Sequence, residues 1–220
     1  MNKSRSELNK TMQLQLKKKE TFPKGIKTLL ALRKELMEQM LEFKKILTAE
    51  QFSAIPFINA NGYHCKTVAY SLWHIIRIED IVTNTMIKKD RQVFFTGDYQ
   101  QKINSPIITT GNELVKQVIA DFSSQLDIDG LYNYIADVDK STTKLLQQLT
   151  FEDMKIKMTE SDKDAVRKTK TVSESENAVW LIDYWGGKDI RGLIQMPLSR
   201  HWIMHIEAAE RIANKLTEKK

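Results

Sequence analysis

Helical hydrophobic spacing dominates this chain. Apolar residues recur at steps of three and four along much of its 220 residues, whereas the alternating pattern typical of β-strands is scarce. The first run predicts an amphipathic helix that begins at Pro23 and ends near residues 47–57. A second segment, from about Lys66 to Met86, is apolar over a wide arc, which predicts a helix buried on most sides. This spacing favours an all-α fold.

The second half of the chain continues the pattern. Thr110 could cap a helix that runs to about Leu126, and another helix is predicted through residues 131–149 after the turn sequence DIDG. The last helix runs to about Leu216, and Pro197 either opens it or kinks a longer helix. Five helical segments are therefore predicted in all.

Two stretches lack helical spacing. Residues 88–109 contain turn residues and are interpreted as a long loop, with the run QVFF at 92–95 compatible with a short strand. Residues 155–176 carry many charges and almost no large apolar side chains, which predicts a mobile connection. Too little chain follows residue 176 to fold alone, so this connection is not a domain boundary.

Length and charge suggest one domain with a basic extension. Hydrophobic residues make up 41% of the chain, enough for a substantial core. The net charge of +6 is uneven, because residues 1–34 hold ten Lys or Arg and two Glu, which leaves the remainder at −2. We therefore divide the chain into a basic N-terminal extension, 1–22, and a helical bundle domain, 23–220. The extension could bind nucleic acid, but a solvated terminus is the favoured interpretation and a nucleic-acid partner is disfavoured.

Cysteine usage and hydropathy suit a cytoplasmic protein. The single cysteine, Cys65, excludes an intramolecular disulfide and a cysteine zinc cluster. The first twenty residues lack the apolar core of a signal peptide, and no apolar run is long enough to cross a bilayer. His64 and Cys65 would point about 100° apart on a helix, so they do not form a nucleophilic pair. Cys65 is interpreted as a small packed or half-exposed residue.

Three of the four histidines lie on predicted helices. His74 belongs to the second helix, and His201 and His205 form an H-x-x-x-H pair on the apolar face of the last. Residues four apart project from one face of a helix, so this pair could bind one cation while a third imidazole arrives from a neighbouring helix. The pattern predicts a three-histidine metal site with room for water or substrate. The alternative is that each histidine is a hydrogen-bonded core residue.

Neighbours of these histidines offer weaker signals. Trp73 and Trp202 could form the walls of a pocket around the metal, but ordinary core aromatics are the favoured interpretation. Arg200 would point about 100° away from the histidine face. It could contact an anionic substrate, although a solvent-facing arginine is the favoured interpretation.

The segments SLWHIIRIED, at 71–80, and MPLSRHWIMHIEAAERI, at 196–212, resemble the DinB and YfiT-like metalloenzyme family. The resemblance implies a four-helix up-and-down bundle with additional short helices and long loops. It also implies that His74, His201 and His205 bind a divalent metal ion, commonly nickel or zinc. Some family members transfer low-molecular-weight thiols such as bacillithiol or mycothiol. Many follow the last histidine with Arg-Gly-Gln, whereas Ile-Glu-Ala stands at 206–208 here.

On this basis we expect a divalent-metal-dependent enzyme, a thiol S-transferase or hydrolase, that acts on a small molecule and has no membrane partner. The alternative is a metal-binding stress or sensor bundle without turnover, in which the ion ties helices together. An open coordination position with a path to solvent favours the enzyme, whereas a fourth protein ligand and a sealed pocket favour the structural role. A homodimer is compatible with the sequence.

Overall fold

The computed structural model describes residues 2–60, 62 and 65–218, and within these ranges it contains helices and no β-strand. The one bridge between extended residues described there pairs Lys157 with Asp189. The prediction of an all-α fold is confirmed. The α-helices are α1 (Lys3–Gln15), α2 (Phe22–Ile46), α3 (Ala49–Ser53), α4 (Val68–Asp80), α5 (Val93–Thr96), α6 (Tyr99–Lys102), α7 (Gln117–Ser123), α8 (Ile128–Gln148), α9 (Glu160–Thr169), α10 (Glu176–Gly186), α11 (Ile190–Gln195) and α12 (His201–Thr217).

Short irregular helices extend this set. Single 3₁₀ turns occupy Lys19–Thr21 and Asp153–Lys155. Two π-helical segments, Ile81–Ile87 and Met196–Arg200, continue α4 and precede α12. The predicted second helix is therefore confirmed over almost its whole length, because α4 and its π-helical continuation together reach Ile87.

Helix α4 lies at the centre of the molecule. All of its residues are buried, and it packs against α8, α12 and several of the short helices. Helix α12 also packs against α2, and α2 contacts α8. An apolar sequence on all sides requires such a position, since any exposed face of α4 would leave large apolar side chains in water.

Hydrogen bonds and ion pairs fix the directions of the long helices. Helices α2 and α8 are antiparallel, since Arg33 pairs with Asp139 and Lys44 pairs with Asp129. Helices α4 and α8 run in the same direction, because Arg77 contacts Tyr134, and six residues further along the chain Thr83 contacts Thr142. The strict alternation of an up-and-down bundle is therefore not observed. Two parallel helices need a long connection that returns the chain to the end of the bundle at which the first helix began. The residues between α4 and α8 form this crossover.

This crossover corrects the prediction for residues 88–126. The expected long loop contains α5 and α6, and the run interpreted as a possible strand forms α5. Asp80 caps the start of α5, because its carboxylate accepts hydrogen bonds from the backbone N–H groups of Val93 and Phe94. The helix predicted from Thr110 is limited to α7, since Gly111 and Lys116 adopt positive φ angles of 78° and 49°.

Residues 155–176 are also more ordered than their charge predicts. Helix α9 occupies the middle of this stretch, and Thr159 begins it with a capping box to Asp162. The fully buried Val166 anchors the helix in the core. Three buried apolar side chains, Met158, Val166 and Val172, and a capping box thus stabilise a segment that composition alone predicts to be mobile.

The N-terminal residues also join the core. Helix α1 packs along α2, and both Met12 and Leu16 are fully buried. Arg5 pairs with Glu35 on α2 and with Glu210 on α12. Residues 3–15 therefore form a helix that packs on the core, while the lysines of the extension, Lys3, Lys10 and Lys17 to Lys19, are exposed to solvent and, of its basic residues, only Arg5 is buried. No helix in the described residues is long and apolar enough to cross a membrane.

Candidate metal centre

The fold brings the three predicted ligands together. His74 lies midway along α4, and His201 and His205 occupy the first two turns of α12. One ring nitrogen from each residue lies within 4.8 Å of the others, and the ring centroids are 4.5 to 5.0 Å apart. All three side chains are buried. The prediction that folding unites them is confirmed.

A π-helical turn precedes the C-terminal pair. Backbone in helical conformation continues from Ile190 to Thr217, and Pro197 lies within the π-helical segment between α11 and α12. Proline cannot donate a backbone hydrogen bond, and the Ser199 hydroxyl instead donates to the Ile194 carbonyl at 3.0 Å. Pro197 therefore interrupts one longer helix, and the π-helical turn that contains it leads directly into His201.

The crossover orients His74. Its Nδ1 atom lies 2.8 Å from the carbonyl oxygen of Thr110. A carbonyl can only accept, so Nδ1 carries the proton and Nε2 keeps a free electron pair. The Tyr70 ring stacks on the imidazole with centroids 5.5 Å apart, and its hydroxyl donates to the Gly111 carbonyl at 3.0 Å. Partners of this kind fix the tautomer and the ring plane of metal-binding histidines.

Burial keeps the three imidazoles neutral. It lowers the pKa of His74 to about 4, although the hydrogen bond to Thr110 partly opposes this shift. Burial also places the pKa values of His201 and His205 well below the ordinary range, and the charges of neighbouring imidazoles lower them further. Neutral imidazole is the form that binds metals, so the site is ready for a cation at neutral pH.

The residues fit a divalent transition-metal ion. Nδ1 of His201 is buried and has no hydrogen-bond partner among the described residues, which is costly unless a ligand satisfies it. Three imidazole nitrogens are a common donor set for zinc and nickel. Zinc–nitrogen bonds of about 2.1 Å in a tetrahedron require nitrogens about 3.4 Å apart, so modest ring rotations would close the site. Within the described residues, no cysteine or carboxylate joins the group.

The histidines line a cavity of about 880 Å³. Its walls combine the aromatic rings of Tyr70 and Trp185 with apolar groups such as Pro197. Two lining residues, Trp180 and Tyr184, are 49% and 36% exposed, so the cavity reaches the protein surface. A small molecule therefore has a path from solvent to the three imidazoles.

The tryptophans that line the cavity are not the two that stand next to a histidine in the sequence. Trp73 and Trp202 are fully buried and do not line it, which confirms their interpretation as core aromatics. The lining tryptophans lie on α10, where the aromatic-rich run WLIDYW was the available signal. Arg200 is exposed and also lies outside the described lining.

Three further residues had no distinctive sequence signal. Lys66 and Tyr70 flank the start of α4 and line the cavity, and Thr110 holds His74 through a backbone atom. Cys65 is half-buried at the cavity and its thiol lies 3.2 Å from the Ile58 carbonyl, in agreement with a half-exposed residue. His64 lies outside the described residues.

A buried ion pair links the segments that carry the histidines to α2. The two terminal guanidinium nitrogens of Arg33 donate to the Glu79 carboxylate, at 2.7 and 2.8 Å. Arg33 also donates to the Leu198 carbonyl and lies over the Trp202 ring, 4.4 Å from its centroid. These contacts connect α2, α4 and the π-helical turn before His201. The two halves of the histidine group are therefore tied to one scaffold.

No protein-family model matches the chain, and a search of curated proteins gave no match.

Proposed function

We propose that this protein is a divalent-metal-dependent enzyme of the DinB/YfiT-like type, and that it transfers a low-molecular-weight thiol to an electrophilic small molecule. The observation that carries the proposal is the group of three buried, neutral histidines on the wall of a cavity open to solvent. Nickel or zinc is the proposed ion. The four long helices α2, α4, α8 and α12 are the proposed four-helix bundle of that family.

An open site favours turnover over a purely structural ion. Structural zinc sites are closed by four protein ligands, whereas catalytic sites keep a position for water or substrate. Here the described residues provide three ligands, and the cavity gives access to them. These two features support the enzyme over the alternative of a metal-binding stress or sensor protein.

The chemistry requires a nucleophile that is activated at neutral pH. A bound divalent cation acts as a Lewis acid and lowers the pKa of a thiol or water at its open position. The sulfur then forms a bond to the electrophilic carbon, and the leaving group departs with the bonding electron pair. The thiol proton is released to solvent at the open end of the cavity. Water in place of the thiol would give hydrolysis.

The protein's own residues prepare this reaction. Thr110 holds His74 with Nε2 free, and the Arg33–Glu79 pair ties α4 to the segment before α12. Apolar lining groups such as Leu181 and Met196 limit the number of water molecules near the histidines. The cavity volume of about 880 Å³ lies within the range of about 300–1,000 Å³ that is common for small-molecule pockets.

A transfer assay on protein reconstituted with nickel or zinc tests the proposal. Protein without a histidine tag would be incubated with bacillithiol, mycothiol, glutathione or cysteine and with the electrophile monochlorobimane, and the fluorescent thioether would be measured. We expect metal-dependent turnover that is lost in the His201→Ala, His205→Ala double variant. Val138→Ala is the control for a general loss of stability, since Val138 is fully buried on α8, which carries no histidine of the group.

The possible outcomes separate the candidate functions. Turnover that requires both the metal and the two histidines supports the transferase. Stoichiometric metal binding without turnover, over the four thiols and a hydrolysis screen with p-nitrophenyl esters, would favour the non-catalytic alternative. Equal turnover by the parent and the double variant would contradict the proposed site.

A further inference from the structure

Lys66 is a half-buried cation with no anionic partner in the part of the chain that the structure describes. It lies just before Thr67, which caps α4, and it lines the cavity. No carboxylate among the described residues forms an ion pair with its ammonium group, and burial lowers the pKa of this lysine. Its ammonium group lies over the ring of Tyr70, with Nζ 4.9 Å from the ring centroid. An ammonium group held in this way is costly, and a bound anion would offset the cost.

The cavity as a whole has one sign of charge. Its described lining contains two lysines, Lys66 and Lys116, and no Asp or Glu. Charges of one sign in a cleft with apolar walls concentrate the field and attract oppositely charged ligands. Neither cavity lysine forms an ion pair with a carboxylate of the described residues.

The position of Lys66 relates this charge to the histidines. The aromatic ring of Tyr70 lies between the ammonium group and the imidazole of His74, since it contacts both. A ligand anchored at Lys66 would therefore extend along Tyr70 toward the histidine group.

We infer that the cavity binds a small organic anion whose carboxylate or phosphate pairs with Lys66 while its apolar part lies between Tyr70 and Trp185, toward the three histidines. This names the substrate class of the proposed enzyme and rests on that proposal. Lys66 is a binding residue in this account and takes no part in bond making or breaking.

Calorimetric titration of the metal-free protein tests the inference without requiring turnover. The probes are 3-phenylpropionate, its neutral analogue 3-phenylpropionamide, and phenyl phosphate, each titrated to 10 mM. We expect the carboxylate to bind about tenfold more tightly than the amide, which corresponds to about 1.4 kcal/mol. Comparison of phenyl phosphate with the carboxylate identifies which anion the site prefers.

Three variants assign the preference to Lys66. Lys66→Met should abolish the difference between acid and amide, and Lys66→Arg should retain it. Lys144→Met, which removes an exposed lysine of α8 away from the cavity, should bind both probes as the parent does. Thermal unfolding of each variant verifies that it is folded.

Equal affinity for acid and amide in the parent protein would overturn the inference. So would a preference that survives in Lys66→Met, or a failure of all three probes to bind. Failure of the proposed enzyme would appear separately, as absence of metal binding or of transfer activity, because the titration uses metal-free protein.

Discussion

The imidazole of His74 is fixed by a backbone atom of the crossover, since its Nδ1 lies 2.8 Å from the carbonyl oxygen of Thr110. Thr110 is held in turn by its own N–H group, which donates to the Thr171 carbonyl at 3.1 Å. The orientation of His74 therefore depends on two segments outside the long helices. One is the crossover, which contains Thr110, and the other follows α9 and contains Thr171. Because this contact is made by a backbone carbonyl and not by the side chain at 110, the sequence carries no signal for it.

Gly111→Ala should weaken metal binding without removing a ligand. Gly111 has a φ of 78°, and an added Cβ would lie 3.0 Å from the Tyr70 ring, which stacks on His74. The change would displace both the ring and the neighbouring Thr110 carbonyl. Loss of such supporting contacts typically reduces metal affinity by about 10-fold to 100-fold. Competition titration with a zinc indicator measures the affinity.

Gly62→Ala is the matched control for this variant. Gly62 also has a positive φ, 72°, but an added Cβ there would meet no atom of the described residues within 4 Å. Both variants therefore carry similar backbone strain, about 1 kcal/mol, and only one disturbs the support of His74. Equal metal affinities for the two variants would contradict the role assigned to the Thr110–Tyr70 contacts.

Acid should destabilise the metal-free protein between pH 6.5 and about 4. The folded-state pKa of His74, about 4, lies below its ordinary value of 6.5, and those of His201 and His205 are also lowered. The unfolded chain therefore binds more protons in this window, so the free energy of unfolding is largest above pH 6.5 and falls as the pH decreases. Each histidine contributes up to about 1.4 kcal/mol per pH unit.

Urea unfolding in EDTA at pH 7.0, 6.0 and 5.0 measures this effect. The double variant His201→Gln, His205→Gln should lose much of the slope, because two of the three buried imidazoles are absent. The parent should therefore lose more stability than the variant between pH 7.0 and pH 5.0. An identical pH dependence in both proteins would show that the buried histidines are not its source.

Much of the fold was predictable because its core follows a helical period. The spacing of apolar residues such as Leu36 and Val138 identified α2 and α8, and the H-x-x-x-H pair identified one face of α12. The site emerged from the same reasoning, since His74 lies on the apolar arc of α4. Directions of the helices were not predictable, because the parallel arrangement of α4 and α8 depends on long-range pairs such as Thr83 with Thr142.

The cavity walls were the least predictable part. Trp180 lines the cavity only because tertiary packing places α10 there. Composition also misjudged residues 155–176, where the buried side chain of Val166 and the cap at Thr159 stabilise α9. Local sequence contains the helical period but not the packing partners of polar segments.

Arg33→Met should strongly destabilise the fold. It would leave the Glu79 carboxylate buried without its cation, and Glu79 is fully buried. Breaking a buried pair from one side typically costs about 3–5 kcal/mol. Denaturant unfolding measures the loss, and adding Glu79→Leu should recover a large part of it.

The adjacent Lys34→Met is the control for Arg33→Met. Lys34 is 79% exposed, so its replacement should change the free energy of unfolding by no more than about 0.5 kcal/mol. Similar stabilities for Arg33→Met and Lys34→Met would contradict a structural role for the buried pair.

Met12→Ala tests whether α1 is part of the core. Met12 is fully buried against α2, and its truncation should lower the free energy of unfolding by about 2–5 kcal/mol. Leu14, two residues later, is 56% exposed, so Leu14→Ala should have little effect. Equal, small losses in both variants would mean that α1 contributes little to stability.

The metal content of the protein tests the central claim most directly. Untagged protein and the His201→Ala, His205→Ala variant would be exposed to equal zinc and nickel, dialysed, and analysed by inductively coupled plasma mass spectrometry. Our account predicts one tightly bound divalent ion per parent chain and almost none in the variant. Equal metal content in the two proteins, or no retained metal in the parent, would contradict it.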